Sequence, residues 1–175
     1  VATLCDVNQR QLASAIPAVA QQQGGTAPQG VADFRTLLQD PSIDAVVLAL
    51  PVHWHALATV WACEAGKDVY VEKPICHNAW EGQQMLQAAR RHQRVVQVGT
   101  QNRSAPYNRA AQQYLAEGKL GKVHFVRILN QKALPEIAMV ADSPAPAYLD
   151  WEMWNGPAPE HAYNETLHRQ WRYFW

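Results

Sequence analysis

Val69-Tyr70-Val71-Glu72-Lys73-Pro74 is the stretch that decides the fold of this 175-residue chain. A short apolar run ends in an acid, a base and a proline. The run reads as a buried strand, and Pro74 has no N–H with which to continue a central ladder, so the strand stops there. Ligands of α/β sheets bind where parallel strands stop. Lys73 is therefore either a solvated strand-end residue or a working amine, and the stretch alone leaves both open.

The pattern repeats on either side. Upstream, Asp44 to Leu50 is apolar on both faces, as a central parallel strand is. Pro51-Val52-His53-Trp54 reads as the turn after it, and His55 to Ala65 as a helix closed by Gly66. Downstream, Asn78 caps a helix running to about His92, with Trp80, Met85, Leu86 and Ala89 inward. Arg94 to Gly99 is a further strand, and Pro106 to Glu117 a helix. Nearer the start, Val1 to Val7 reads as a strand ending at Asp6. Gln9 to Gln22 reads as a helix that Pro17 kinks or splits, residues 23–30 as a loop, and Phe34 to Gln39 as a short helix capped by Asp33.

Helical crossovers between strands imply a parallel sheet with helices on both faces, the Rossmann-like doubly wound α/β class. Such a fold opens with a strand and a Gly-rich turn that cradles a pyrophosphate. No GxGxxG occurs here, and Gly24-Gly25 lies between helices. The chain instead starts at what would be the second strand, whose terminal acid reads the adenosine ribose. Asp6 holds that position, although a helix cap or a solvated strand end explains it equally. The other end carries Trp171, Arg172, Tyr173, Phe174 and Trp175, an unusual composition for a solvated terminus. We therefore expect a chain truncated at both ends. Residues 1–121 would form an incomplete dinucleotide-binding domain and residues 122–175 the beginning of a second, α/β domain. There, Lys122 to Asn130 alternates as a strand of an open-faced sheet does, and Ala133 to Tyr163 reads as a long ordered loop held down by aromatics.

The formal net charge is zero, which argues against nucleic-acid and membrane-surface partners. No apolar run of about 18 residues is present to span a membrane. Cys5, Cys63 and Cys76 form no CxxC pair, and His53 and His55 have no neighbouring carboxylate or thiol to complete a shell, so no metal site is expected. There is no GxSxG and no carboxylate pair of catalytic spacing. Three strand ends instead carry polar turns: Pro51 to His55, Glu72-Lys73-Pro74, and Gly99-Thr100-Gln101-Asn102-Arg103. Their convergence on one edge points to one crevice, where His55 either opens its helix or reaches a ligand's hydroxyls.

These pieces, with Leu4-Cys5-Asp6, Asp33 to Leu38 and Ile43 to Val47, resemble in order and separation the glucose–fructose oxidoreductase / inositol dehydrogenase / MocA family. The resemblance implies an NAD(P)-binding Rossmann domain followed by a domain whose open sheet shapes the sugar site. That sheet would also make the full-length parent a homo-oligomer, dimer or tetramer. It implies hydride transfer between nicotinamide and a sugar or polyol carbon. Lys73 would be the catalytic lysine beside the nicotinamide, where a cationic amine stabilises a developing alkoxide. Glu72 would hold the local geometry. Asp6 would take the ribose and favour NAD over NADP, since a carboxylate repels a 2′-phosphate. Pro51, His53, His55, Gln101 and Asn102 would line the cofactor, with Trp154 and Arg172 as further contacts. Leu149 to Pro159 resembles many bacterial, often exported members, which implies either a cytoplasmic enzyme or a parent exported by the twin-arginine route. The family's catalytic histidine and its neighbouring acid lie beyond a segment like Trp171 to Trp175, so the chain itself is expected to bind dinucleotide weakly or not at all and to turn nothing over. Two other readings stand beside this one: a glycoside hydrolase on the same scaffold that uses bound NAD, and a non-catalytic truncated product.

Overall fold

The computed structural model describes residues 1–129 and 137–173. Strand β1 (Thr3–Cys5) pairs in parallel with β2 (Gln29–Val31), Thr3 opposite Gln29 and Cys5 opposite Val31. Between them runs α1 (Gln9–Gln22), whose first turn is capped by Asn8 Oδ1 accepting from the N–H groups of Arg10 and Gln11. Pro17 does not split α1. It sits on the exposed side, where the carbonyl it leaves unpaired can be hydrated. The loop expected over residues 23–30 is corrected by β2, whose three residues are too few to show a period. A Cβ on Gly30 would lie 2.8 Å from Ile16 Cδ1, so only glycine lets β2 pass this close to α1.

After α2 (Phe34–Leu38), capped by Asp33 as expected, comes a second sheet. It orders β3 (Ala45–Leu48), β4 (Asp68–Glu72) and β5 (Val96–Gly99), all parallel, with Leu48 opposite Val71 and Glu72 opposite Gly99. The crossovers are α3 (Val52–Glu64) and α4 (Ala79–Arg91). Helices α3 and α4 pack against each other and enclose a core of Val46, Leu48, Ala58, Ala62, Cys63, Val69, Val71 and Met85. Two successive right-handed crossovers lie on one side of a sheet. The opposite face of β3 is open, with Val47 73% exposed, so β3 is not the doubly buried strand that its composition suggests.

Helix α3 starts three residues earlier than the sequence reading, which puts His53 and Trp54 in its first turn rather than in a preceding loop. Asn78 caps α4 as expected: its Oδ1 accepts from the Glu81 N–H, while Glu81 Oε2 accepts from the His77 N–H at 2.8 Å. Trp80, expected inward, is 70% exposed, and Met85 and Ala88 carry the buried face. Beyond β5, a 3₁₀ turn (Gln101–Ser104) leads into α5 (Pro106–Ala116).

Residues 122–129 form no strand, with Phe125 and Ile128 exposed. Alternation supplies a face, but a ladder needs a neighbour, and none lies beside them among the described residues. Asn130 and the first part of the expected 133–163 loop lie outside the described residues, as do Phe174 and Trp175. The rest of that loop contains α6 (Trp151–Asn155), capped by Asp150, and leads to α7 (Glu165–Gln170), capped by Asn164. This segment is sewn to the start of the chain. The Gln9 N–H donates to the Tyr148 carbonyl at 2.8 Å and the Asp150 N–H to the Val7 carbonyl at 3.1 Å. The Arg10 guanidinium lies 3.8 Å over the Tyr148 ring.

Candidate functional site

The carboxyl ends of β3, β4 and β5 are brought level by the register. A cavity of about 420 Å³ opens there, lined by Ala49, Leu50, Val52, His55, Glu72, Lys73, Pro74, Trp171 and Arg172. Lys73 is exposed, and no carboxylate lies within ion-pair reach of its Nζ among the described residues. Glu72 is held instead by Gln101, whose Nε2 donates to Oε1 at 2.7 Å, and by the Lys73 N–H at 3.3 Å. A Cβ on Gly99 would come 3.0 Å from the Glu72 carboxylate, so the glycine is what lets that side chain lie across the strand end.

His55 is 1% exposed. Its Nδ1 lies 2.7 Å from the Pro74 carbonyl and its Nε2 2.8 Å from the Leu50 carbonyl. One ring thereby ties the turn after β3 to the turn after β4. Neither ring nitrogen is left for a ligand's hydroxyl, which corrects the expectation that His55 reaches one; it shapes the cavity from behind.

A second cavity, also about 420 Å³, adjoins the first and shares Val52, Trp171 and Arg172 with it. His53, His77, Glu81, Trp154, Asn155 and His161 are among its other walls. Here α3 and α6 are clasped together: His53 Nε2 donates to the Trp154 carbonyl at 3.0 Å, and Trp54 Nε1 to the Met153 carbonyl at 3.0 Å. Burial pushes the His53 imidazole below its usual pKa, so it stays neutral.

The sequence-selected residues thus fall into groups. His55, Glu72, Lys73 and Arg172 meet at the first cavity, with Gln101 joined through Glu72; His53, Trp154 and Arg172 meet at the second. Pro51 lines neither and forms the N-cap of α3. Asn102 is exposed, its carbonyl accepting from Asn108 Nδ2 at 2.6 Å. Asp6 stands apart at the end of β1, one carboxylate oxygen accepting from the Asn8 N–H at 2.7 Å. Beside it, burial, then Asp6 and Asp33, push the Cys5 thiol up to about 12. Sequence reading missed the bonds from Trp54 to the carbonyls of α6 and the close approach of Gly156 to the Trp54 ring, partners about 100 residues apart. No cluster of three or more potential metal ligands occurs among the described residues, and no helix among them is long and apolar enough to cross a membrane.

Comparison with known proteins agrees with this architecture. The chain is 34% identical over 91 residues to levoglucosan dehydrogenase of Pseudarthrobacter phenanthrenivorans, covering 52% of this chain and 23% of that protein. It is 30% identical over 94 residues to a glycosyl hydrolase family 109 protein of Shewanella sp., covering 52% of this chain and 20% of that one. The crystal structure of scyllo-inositol dehydrogenase from Lactobacillus casei with bound NAD(H) and scyllo-inositol superimposes with a TM-score of 0.59 at 27% identity, over 69% of this chain and 34% of that one. The chain spans about a third or less of the length of these relatives. The model of the oxidoreductase family with an NAD-binding Rossmann fold matches residues 1–100, and the chain belongs to that glucose–fructose oxidoreductase / inositol dehydrogenase / MocA family.

Proposed function

We propose that these residues serve NAD-dependent hydride transfer to or from a sugar or polyol carbon, with residues 1–121 as the dinucleotide-binding unit and Lys73 as the catalytic residue. The observation that carries the reading is Lys73 itself: an amine with no carboxylate partner among the described residues, on a cavity at the carboxyl ends of β3 and β4. The donor set fits the two ends of a dinucleotide. Asp6 keeps one carboxylate oxygen without a hydrogen bond among the described residues, as an acceptor for ribose hydroxyls, and its charge disfavours a 2′-phosphate. At the other end, Lys73 Nζ donates to the substrate oxygen and stabilises the negative charge that develops on it. Glu72, fixed by Gln101, and His55, fixed by two carbonyls, keep the Lys73 backbone in place. Bound NAD supplies the hydride acceptor.

The test is an NADH and NADPH fluorescence titration of the chain, followed by assay for nicotinamide reduction with cyclitols and hexoses. No Gly-rich turn is present to cradle the pyrophosphate. We therefore expect weak NADH binding, no turnover by the chain alone, and NADPH weaker by tenfold or more. Asp6→Ala should erase the preference. NADPH binding equal to or tighter than NADH would overturn the ribose assignment, and failure of Lys73→Met to alter the response to NADH would remove Lys73 from the site. The likeness to a family 109 glycosyl hydrolase favours one second reading, NAD-dependent glycoside cleavage on the same residues. Release of an aryl leaving group without net NADH formation would select it.

A further inference from the structure

We propose that α6 is an acid-released latch: protonation of His53 frees residues 151–155 from α3 and opens the wall they give the second cavity, while the three-stranded sheet stays folded. The latch is independent of the reaction proposed above. Three hydrogen bonds hold α6 to α3. His53 Nε2 donates to the Trp154 carbonyl at 3.0 Å, and Trp54 Nε1 is shared between the Met153 carbonyl at 3.0 Å and the Trp154 carbonyl at 3.2 Å. A carbonyl only accepts, so neutral His53 carries its proton on Nε2, and Nδ1 is where a second proton must go. The Trp54 indole does not titrate, which leaves His53 as the one titratable group in these bonds.

The surroundings oppose that second proton. Burial does so first, and His55, His77 and His161 stand near enough to repel the added charge. His55 comes from α3 itself, His77 from the start of α4 and His161 from the chain after α6, while Arg172, in the 3₁₀ turn that follows α7, lines the same cavity. Glu81 is the one carboxylate among the cavity walls, and both its oxygens are engaged at the start of α4: Oε2 accepts from the His77 N–H at 2.8 Å and Oε1 from Asn78 Nδ2 at 3.1 Å. No carboxylate lies within ion-pair reach of His53 among the described residues. His168 also meets the Trp154 ring, at 5.3 Å, but Asp6 and Glu165 favour its charge, so it is the weaker trigger.

A cation formed on His53 therefore gains its hydration only when α6 moves away. Because the closed form disfavours the proton, closure is fully present above the ordinary imidazole value of about 6.5 and is lost as the pH falls below it. The other anchor of the segment has no such trigger. The bonds from the Gln9 N–H to the Tyr148 carbonyl and from the Asp150 N–H to the Val7 carbonyl join backbone groups, which do not titrate in this range. Residues 148–150 stay in place as the pivot, and α6 swings from them.

The experiment is hydrogen exchange of the chain followed by NMR at about pH 7 and pH 5, each rate divided by that of the free group at the same pH. We expect protection of the Trp54 indole N–H to fall by about tenfold or more on acidification. The Val69 amide, bonded to the Val95 carbonyl at 2.9 Å, and the Asp150 amide should keep theirs. His53→Gln retains a donor for the Trp154 carbonyl but does not titrate, and should hold the loss at Trp54 below about threefold. Should that variant melt early, the parent decides: the His53 ring resonances must titrate with the midpoint at which Trp54 loses protection. Unchanged protection at Trp54, an equal loss at Val69 or Asp150, an undiminished loss in folded His53→Gln, or midpoints that differ each overturn the latch.

Discussion

Replacing Gly156 by alanine tests how the α6 segment is held. Gly156 ends α6 at φ +48°, ψ −122°, and a Cβ built there falls within the Trp54 indole, 2.6 Å from Nε1. Ordinary heavy-atom contact begins at roughly 3.5 Å and two indole carbons lie nearer still, so the two must part by more than about an ångström. Trp54 cannot give way easily. Phe34 meets its ring edge-on at 5.4 Å, Trp61 lies 6.3 Å away, and its Nε1 is bonded to the Met153 carbonyl. The strained backbone costs ~1–3 kcal/mol and the lost indole hydrogen bond ~0.5–1.5 kcal/mol, so Gly156→Ala should cost about 2–4 kcal/mol. Gly66→Ala is the control, since Gly66 has φ +75° but nothing within 4 Å of its would-be Cβ. It should cost about 1–2 kcal/mol from strain alone. Urea unfolding measures both, and hydrogen exchange at the Trp54 indole N–H reports the local effect. If Gly156→Ala costs no more than Gly66→Ala and leaves that exchange unchanged, the close-approach argument is wrong.

Gly99→Ala should push the Glu72 carboxylate aside and break its bond to Gln101, costing about 1 kcal/mol and shifting the Gln101 side-chain amide resonances; unshifted resonances would refute the contact. The melting temperature should fall as pH drops below about 6.5. Burial lowers the pKa of both His53 and His168 in the folded chain, so the unfolded chain binds protons first and draws the equilibrium its way on acidification. His53→Gln should flatten that slope, and a flat wild-type profile between about pH 7 and pH 5 would contradict it. Cys5, with its thiol pushed up to about 12, should resist iodoacetamide at mildly alkaline pH until urea unfolds the chain; rapid labelling of the folded protein would show the thiol is not shielded.

Local chemistry was legible in the sequence. Asn78 and Asp33 announce helix starts through side chains that bond their own neighbours, and Val69 to Pro74 announces a strand end because proline cannot continue a ladder. The grouping of Glu72, Lys73 and Gln101 follows from strand order, which the alternation of strands and helices encodes. What escaped depends on partners distant in sequence. Opening its helix and reaching a ligand stay equally open for His55 in the sequence, because nothing nearby shows that two carbonyls flank its ring. Trp80 was placed inward because an aromatic at a helical spacing looks the same on either face. Strand β2 escaped because Gln29-Gly30-Val31 gains its ladder only from β1. The segment 122–129 erred the other way, since its pattern declares a face without supplying a neighbour.

The seam between Tyr148–Asp150 and Val7–Gln9 has a consequence for how the molecule assembles. Asn8 bridges Leu149 across about 140 residues, whereas β3, β4 and β5 find one another within a few dozen. Closing so long a loop carries an entropic penalty that grows only logarithmically with length, but it delays the contact relative to local ones. The three-stranded sheet with α3 and α4 should therefore be complete first. The seam, and with it the α6 wall against His53 and Trp54, should close last. As the polypeptide is synthesised, the Lys73 edge takes shape while the second cavity has no far wall until the residues beyond 150 emerge.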